Sequence, residues 1–373
     1  MKLKILKQNL KQGLDKIKKV ASKSSSLPVL DSVLLTTEKN HLELAATDLE
    51  LGIKFKVLAD IKDQGKVAIP AKAFSNLVNS LPEEEIELKQ KKQDLKIKCG
   101  NYSSQLKGLD PKEFPIIPEL DDKFAELKSS VLMEGLSQVE EIASPSKVRP
   151  EISGVYVSFG RKELKMVATD SFRLGEKTVS LSDVTLDSSK NVIIPSKTAR
   201  ELMNIFKDQQ RELKIFISEN QIMFKTESPE KTEPDFQITS KLIEGEYPDY
   251  EKIIPDDRQT KLELSREKFL NQIKAASLFG GKVNEVECKA IPDKGLEISS
   301  EDPNLGKNKS VVSADVEGEE SGASFNWRFV RDGLSNINTD RVILEMNGEE
   351  GAATLKPKGD DSYLYVVMPI KST

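Results

Sequence analysis

The sequence predicts an α+β fold of three tandem, topologically similar domains, each with two helices and antiparallel sheets. A helix-like segment recurs three times along the chain, and each copy leads through strand-like alternation into a second short helix pattern. Each second helix is followed by an alternating hairpin pattern. A length of 373 residues also allows two or three domains, at roughly 100–200 residues per domain.

The first helix of each repeat shows apolar residues at helical spacing, which is typical of a helix with one buried face. The three segments cover residues 9–21, 134–143 and 266–276. Their apolar faces carry Leu6, Leu10, Leu14, Ile17 and Ala21 in the first copy, Leu136, Val139, Ile142 and Ala143 in the second, and Phe269, Leu270, Ile273 and Ala276 in the third.

The second helix of each repeat follows a short strand pattern. It comes after Ile69-Pro70 in the first copy and after Ile194-Pro195 in the second, and it begins near Ser324-Phe325-Asn326 in the third. We expect both prolines in the first helical turn, where a missing N–H costs least. Hairpin patterns then follow over residues 86–99, 213–224 and 342–355.

An acidic turn recurs as Ala46-Thr47-Asp48-Leu49 and Ala168-Thr169-Asp170-Ser171. Asp48 and Asp170 allow two interpretations: a pair of catalytic carboxylates, or a local turn in which each side chain bonds its own backbone. The repetition favours the turn, because one carboxylate on each of two equivalent domains leaves the pair far apart.

Proline-rich stretches mark the joins between repeats, one at Phe114–Glu119 and the other at Tyr247–Pro255. They divide the chain into domains of residues 1–121, 122–254 and 255–373. Three similar domains without a Gly/Ser linker between them favour a single rigid superstructure.

Composition narrows the function classes. The chain contains one histidine, His41, so a multi-histidine metal site is excluded, and no nucleophile motif accompanies it. The two cysteines, Cys99 and Cys288, lie in no metal-binding or disulfide pattern. No apolar run approaches the roughly 18–20 residues of a membrane span, and the amino terminus has no apolar signal core. We therefore expect a cytoplasmic protein without metal or cofactor.

The net charge is −5, so nucleic-acid binding has to rest on a local basic surface. Lysines form a stripe on the first helix, and such a stripe suits a DNA backbone read without regard to sequence. A solvated basic face explains the same pattern about equally well. The candidate DNA-facing residues on all helices are Lys7, Lys11, Lys18, Lys23, Lys72, Lys197, Arg200, Lys274, Arg328 and Arg331.

Four motifs, in this order along the repeat, resemble the bacterial DNA sliding clamps, the family of DNA polymerase III β subunits. The motifs are Ala168-Thr-Asp-Ser-Phe-Arg-Leu174, Tyr247-Pro-Asp-Tyr250, Phe325-Asn-x-x-Phe-Val-x-Asp332-x-Leu334 and Tyr365-Val-Val-Met-Pro-Ile370. The resemblance extends over essentially the whole chain. It implies a homodimer of two three-domain protomers, joined head to tail into a six-domain ring around duplex DNA.

The resemblance also implies a non-catalytic processivity factor. Its partners would be double-stranded DNA, a second copy of the chain, the DNA polymerase III α subunit, the clamp loader, and other polymerases and repair proteins. The protein partners would dock through short linear motifs in a groove between the second and third domains. No cofactor and no membrane contact are implied.

Carried over residue by residue, the groove accepts Leu or Phe anchors of a partner, and Arg173 orients the peptide. Its members are Ile152, Thr169, Ser171, Arg173, Leu174, Pro248, Ile253, Val366, Val367, Met368 and Pro369, and its rim is Arg149, Phe172, Lys252 and Ala352. The family usually has His where this chain has Phe172.

Alignment to the family suggests that Ser104 and Leu106 of one protomer face Leu278 and Phe279 of the other. Ser104 stands where the family often has a large apolar residue. The alternatives are an enzyme that uses the two turn aspartates, and a clamp-like paralogue that is monomeric or serves a different partner set.

Overall fold

The fold is known from a computed structural model that describes residues 1–21, 27–146, 148–181, 188–206, 210–226 and 235–371. The chain forms two compact units. The first consists of Met1–Ser130 with Glu201–Leu242, and the second of Val131–Arg200 with Ile243–Thr373. The predicted joins at 121/122 and 254/255 stay predictions.

The first repeat has two helices and nine strands among its described residues. The helices are α1 (Lys7–Ile17) and α2 (Ala71–Ser80). The strands are β1 (Lys2–Leu6), β2 (Ser32–Glu38), β3 (His41–Thr47), β4 (Leu51–Leu58), β5 (Asp60–Asp63), β6 (Lys66–Pro70), β7 (Glu85–Lys91), β8 (Asp94–Cys99) and β9 (Tyr102–Leu106).

The second repeat has two helices and eight described strands, without a described counterpart of β5. The helices are α3 (Ser129–Val139) and α4 (Ser196–Phe206). The described strands are β10 (Lys123–Lys128), β11 (Gly154–Phe159), β12 (Glu163–Thr169), β13 (Arg173–Ser180), β14 (Lys190–Pro195), β15 (Glu212–Ile217), β16 (Gln221–Lys225) and β17 (Asp235–Lys241).

The third repeat completes the series. The helices are α5 (Arg266–Ala276) and α6 (Trp327–Ser335). The strands are β18 (Thr260–Ser265), β19 (Glu285–Ile291), β20 (Gly295–Asp302), β21 (Gly306–Val312), β22 (Ala314–Gly318), β23 (Ser321–Asn326), β24 (Arg341–Met346), β25 (Ala353–Pro357) and β26 (Tyr363–Val367).

The sheets of the first unit contain only antiparallel pairs. One has the order β5-β1-β7-β8-β9, and the other has the order β10-β15-β16-β17-β4-β3-β2-β6. The second sheet therefore joins strands of two repeats, because β4 of the first repeat pairs with β17 of the second.

The sheets of the second unit are also antiparallel, with the orders β14-β11-β12-β13-β26-β25-β24-β18-β22 and β21-β20-β19-β23. Here β13 of the second repeat pairs with β26 of the third, in the register Arg173 opposite Val367 and Leu174 opposite Val366. The predicted α+β class with antiparallel sheets is confirmed.

Helix α5 begins at the predicted residue, α1 begins two residues before its predicted segment, and α3 begins five residues before. Side chains explain the starts of two helices. Ser265 caps α5 by accepting the N–H of Lys268, and Asn326 caps α6 by accepting the N–H of Arg328. The expectation for Pro70 and Pro195 was wrong, because each ends a strand just before its helix. Leu6 was likewise expected on the helix face but ends β1 and is exposed.

Leu10, Leu14 and Ile17 of α1 are buried, as their spacing predicts, and they belong to the core of the first unit. Cys99 and Cys288 are buried free thiols, and burial raises the pKa of Cys288 to about 12. In the described ranges, no helix combines the length and apolarity that crossing a membrane would need.

Candidate functional site: the groove beside β13 and β26

The turn between β12 and β13 is built from its own polar side chains. Asp170 Oδ1 accepts the N–H groups of Phe172 and Arg173, both at 3.0 Å. The Thr169 hydroxyl donates to Arg173 O at 2.7 Å and accepts the Ser171 N–H at 3.1 Å. Ser171 has a positive φ of 78°. The interpretation of the Thr-Asp motif as a local turn is therefore confirmed.

The turn between β3 and β4 repeats these bonds atom for atom. Asp48 Oδ1 accepts the N–H groups of Glu50 and Leu51, Thr47 bonds Leu51 O, and Leu49 has the same φ of 78°. Both carboxylates therefore accept hydrogen bonds from their own backbone turns, as the local-turn interpretation predicts.

A related aspartate turn, which sequence reasoning missed, joins β20 to β21. Asp302 Oδ1 accepts the N–H groups of Asn304 and Leu305 at 2.8 and 3.1 Å. The Ala-Thr that precedes the first two aspartates is Ser300-Glu301 here, and Pro303 follows. It lies 132 residues after Asp170, whereas 122 residues separate Asp48 from Asp170, so neither motif nor spacing marks it clearly in the sequence.

The Arg173 side chain lies inward from the turn and is only 12% exposed. Its Nε donates to Asp170 at 2.9 Å and its Nη1 donates to Asp332 at 2.7 Å. Its guanidinium also lies 4.6 Å from the centre of the Phe329 ring. Two of its donors are therefore used within the protein, and its role in orienting a peptide stays a prediction.

Electrostatics agree with that position. Burial disfavours the charged guanidinium of Arg173, but nearby Tyr365 and Asp332 outweigh this effect and hold its pKa above the ordinary range. The arginine is therefore a fixed cation at every physiological pH.

An apolar cluster forms the floor beside the turn. Its buried members are Val167, Leu174, Tyr250, Ala352 and Val366, and the half-buried residues packed against it are Tyr156, Tyr247, Ile254, Leu364 and Met368. The structure thus brings together four predicted groove residues, namely Leu174, Ala352, Val366 and Met368. Ile152, Thr169 and Val367 are buried as well.

Tyr247 and Tyr250 support this floor. The Tyr247 ring stacks on Tyr156 at 5.0 Å between centres, and its hydroxyl donates to Val167 O at 3.4 Å. Burial raises the pKa of both Tyr247 and Tyr250. Both belong to the Tyr-Pro-Asp-Tyr motif, so the sequence carried the signal but the site assignment omitted them.

The rim is exposed and partly apolar. Phe172 is 61% exposed, its ring stacks on Phe329 at 6.4 Å, and its carbonyl accepts the Met368 N–H at 2.8 Å. Ile253 is 44% exposed, whereas Pro248 and Pro369 are half-buried. An exposed aromatic and an aliphatic residue beside an apolar floor suit a partner's apolar side chains.

Cationic side chains complete the rim. Arg149 donates from Nη1 to the Ser171 hydroxyl at 2.9 Å and pairs with Glu151 at 3.0 Å. Lys252 is exposed and pairs with Asp249 at 2.7 Å. Exposed pairs of this kind contribute little to stability and leave the charges available to a ligand.

The predicted DNA-facing residues occupy different environments. Lys7 is 5% exposed, donates to Leu81 O and pairs with Glu83. This burial corrects the prediction for Lys7, because its charge is satisfied at the end of α2. Lys23 lies outside the described residues.

The other predicted residues are at least partly accessible within their own units. Lys11, Lys72, Lys197, Arg200, Lys274 and Arg328 are exposed, and Lys18 and Arg331 are half-buried. Arg200 pairs with Glu140 at 2.8 Å, and burial of that carboxyl raises the pKa of Glu140 despite the arginine. Their role in DNA contact stays a prediction.

The predicted interface residues lie at two sheet edges. Ser104 and Leu106 are on β9, which has a neighbour on one side only among the described strands, as does β21. Leu278, 69% exposed, and Phe279 are in a short 3-10 turn, Ser277–Phe279, which packs against β20 and β21.

Within the described ranges, no group of three His, Cys, Asp or Glu side chains is arranged to hold a metal ion. Three α+β repeats joined by strand pairing, with an apolar cluster beside one of the joints, define the class of sliding clamps.

Comparison with known proteins identifies the family. Models of the N-terminal, central and C-terminal domains of the DNA polymerase III beta subunit match residues 1–118, 126–249 and 251–371. The beta sliding clamp of Staphylococcus aureus is 32% identical over 368 residues, which is 95% of each chain. The chain therefore belongs to the family of DNA polymerase III beta subunits.

Solved structures agree with this assignment. The sliding clamp of Bacillus subtilis superimposes with a TM-score of 0.93 at 27% identity, and all of both chains is covered. The sliding clamp of Pseudomonas aeruginosa bound to griselimycin shares the fold, with a TM-score of 0.92 at 24% identity over the whole of both chains.

Proposed function

We propose that two copies of this chain close head to tail into a ring around duplex DNA. In this proposal the groove beside β13 and β26 docks the replication and repair proteins that work on that DNA. The observation that best supports a ring is the order in which strands of successive repeats pair.

The first and second repeats each pair with the following repeat through equivalent strands. The strand after the acidic turn pairs with the last strand of the following repeat, so that β4 pairs with β17 and β13 pairs with β26. In the third repeat the equivalent strand is β21, and the last strand of the first repeat is β9. Both have an open edge among the described strands.

A second copy supplies the partner that each open edge needs. Pairing of β21 with the partner's β9, and of β9 with the partner's β21, closes a symmetric ring and covers both of these open edges. The exposed Leu278 beside β21 and Tyr102 on β9 give this contact apolar surface. Ser104, Leu106 and Phe279 belong to the same contact.

The basic residues of the helices supply a sequence-independent attraction to phosphates. Lys11, Lys72 and Lys274 are exposed, and flexible lysine side chains bind phosphates as point charges without reading bases. Because the ring encloses the duplex, the net charge of −5 is no obstacle, since only the lining faces DNA.

The groove binds short linear motifs of the DNA polymerase III α subunit, the clamp loader and other polymerases or repair proteins. Its buried floor accepts apolar anchors, and its cationic rim favours acidic residues beside them. The chain acts without catalytic activity or cofactor and works in the cytoplasm, as three domains of residues 1–121, 122–254 and 255–373.

Retention on plasmid DNA tests the ring. After loading by a cognate clamp loader, the protein is expected to stay on circular plasmid and to leave the linearised plasmid through its ends. Equal loss from both forms would show ordinary electrostatic association and overturn the topological binding.

Sedimentation separates the ring from a monomeric paralogue. We expect a mass of twice 41.6 kDa for the wild type and 41.6 kDa for Leu278→Asp. The matched control, Leu58→Asp, changes an exposed leucine at the end of β4 and is expected to leave the dimer intact. A wild-type monomer at micromolar concentration would contradict the ring.

A fluorescein-labelled motif peptide from the cognate polymerase α subunit tests the groove. We expect saturable binding that unlabelled griselimycin displaces, since griselimycin is bound to the Pseudomonas aeruginosa clamp. No binding by the intact dimer would remove the docking role and leave the ring standing.

A further inference from the structure

The second helix of the third repeat reaches the groove turn of the second repeat through one carboxylate. Asp332, on α6, accepts the Arg173 Nη1 on its Oδ2 atom at 2.7 Å. The two residues are 159 positions apart in the sequence. Their side chains are 12% and 27% exposed, so the pair is partly shielded from water and salt.

Hydrogen bonds connect the Arg173 side chain to the backbone of the turn at the wall of the groove. Its Nε is fixed by Asp170, and the same carboxylate accepts the N–H groups of Phe172 and Arg173. The Phe172 carbonyl in turn accepts the Met368 N–H at 2.8 Å. A shift of the guanidinium therefore moves the turn and the strand end on which a peptide would lie.

The Asp332 carboxylate is shared with a second arginine. Arg331 donates to its Oδ1 atom from Nε at 2.9 Å and from Nη2 at 2.6 Å. Arg331 also lies over the Trp327 ring at 5.3 Å and is half-buried. It lies on the same basic helix that the sequence places toward DNA.

We propose that Asp332 is a positioning residue for the groove and that Arg331 competes with Arg173 for its charge. The proposal rests on the peptide-docking function of the groove. When Arg331 is removed or engaged by a phosphate, the carboxylate acts on Arg173 alone, and the groove turn is held more firmly. A preorganised groove binds its peptide more tightly.

Peptide affinity of the full-length dimer, measured by fluorescence anisotropy with the labelled polymerase peptide, tests the proposal. Asp332→Asn is expected to weaken binding about tenfold, because a charge-assisted bond to Arg173 is lost. Arg331→Ala is expected to strengthen binding about two- to threefold. Asp332→Glu keeps the charge and is expected to recover part of the affinity that Asp332→Asn loses.

The matched control is Arg328→Ala. Arg328 is on the same helix and lies over the same Trp327 ring, but it bonds Asn284 and makes no described contact with Asp332. The Arg328→Ala variant is expected to bind the labelled polymerase peptide, measured without DNA, as tightly as the wild type does. The double variant Arg331→Ala/Asp332→Asn is expected to match Asp332→Asn, since Arg331 acts only through the carboxylate.

If Arg331 only stabilised the helix, Arg331→Ala would weaken peptide binding rather than strengthen it, because loss of the ion pair would loosen the helix. Weaker or unchanged binding by Arg331→Ala, or wild-type binding by Asp332→Asn, would overturn the proposal and leave the groove itself intact. Absence of peptide binding by the wild type would overturn the groove assignment and this proposal together.

Discussion

The β3–β4 turn of the first repeat and the β12–β13 turn of the second have the same backbone and different surroundings. In each, an aspartate accepts two successive N–H groups and the next residue has a φ of 78°. In each, the turn carbonyl accepts an N–H from the paired strand at 2.8 Å, from Lys241 in one case and from Met368 in the other.

The side chains after the two turns and on the strands paired with them differ. Strand register makes Gly52 equivalent to Leu174, and Lys241 equivalent to Met368. In the first repeat Ile117 lies directly over Gly52, and the cavity that remains is about 130 Å³. Ligand pockets are usually about 300–1,000 Å³. The repeated fold thus supplies the turn in both repeats, and the side chains beside it give the two turns different surroundings.

The largest expected effect on peptide affinity comes from replacing Met368 by lysine, the residue found at the equivalent position beside the β3–β4 turn. Met368→Lys is expected to lower affinity for the polymerase peptide by about 100-fold, because a cation replaces an apolar contact in the groove. Titration of the labelled peptide measures it. The reciprocal variant, Lys241→Met, serves as control and is expected to bind as the wild type does. Similar losses from both would show that the two turns are functionally alike.

The second largest effect is expected at Gly52, because the Ile117 side chain packs against it. A Cβ on Gly52 would lie 2.7 Å from Ile117 Cγ2, so Gly52→Ala is expected to destabilise the protein by about 2 kcal/mol. Thermal unfolding at fixed protein concentration measures the change. Gly322→Ala is the control, because a Cβ there meets its nearest neighbour at 3.4 Å. Equal stability of the two variants would mean that Ile117 does not fill the site.

Substitution of the two turn aspartates tests whether an effect on stability can occur without an effect on peptide binding. Asp48→Ala and Asp170→Ala each remove two hydrogen bonds to backbone N–H groups and are expected to cost about 1–1.5 kcal/mol. Asp170→Ala should cost more, since Arg173 also loses a partner. Only Asp170→Ala is expected to weaken peptide binding. Weakened binding by Asp48→Ala would contradict the separation.

The smallest effect is expected at the positive-φ residues. Leu49→Gly and Ser171→Gly relieve the left-handed conformation and are expected to raise stability by less than about 1 kcal/mol each. Leu58→Gly, at the end of β4, is expected to lower it instead. Differential scanning calorimetry of the three variants would show whether the two turns respond alike, and opposite signs for the first two would break the equivalence.

The predictable part of this molecule is the part that local pattern determines. Helix faces follow from apolar spacing and the hairpins follow from alternation, so these two local patterns predict the α+β repeat. The Thr-Asp turn was predicted for the same reason, because its hydrogen bonds span two to four residues.

What the sequence did not predict depends on contacts between distant residues. The inward position of Arg173 depends on Asp332, and the burial of Lys7 depends on carbonyls at the end of α2. Neither position differs, in local pattern, from an exposed cation. The groove residues were predicted by family resemblance, and no periodicity in the chain marks them as a site.

Hydrogen exchange of the full-length dimer with and without the polymerase peptide tests the difference between the two turns most directly. We predict that saturating peptide slows exchange at residues 169–174 and 366–368 and leaves residues 47–52 and 239–241 unchanged. Slowed exchange at both turns, or at the first turn alone, would contradict the claim that side chains confine docking to the groove beside β13 and β26.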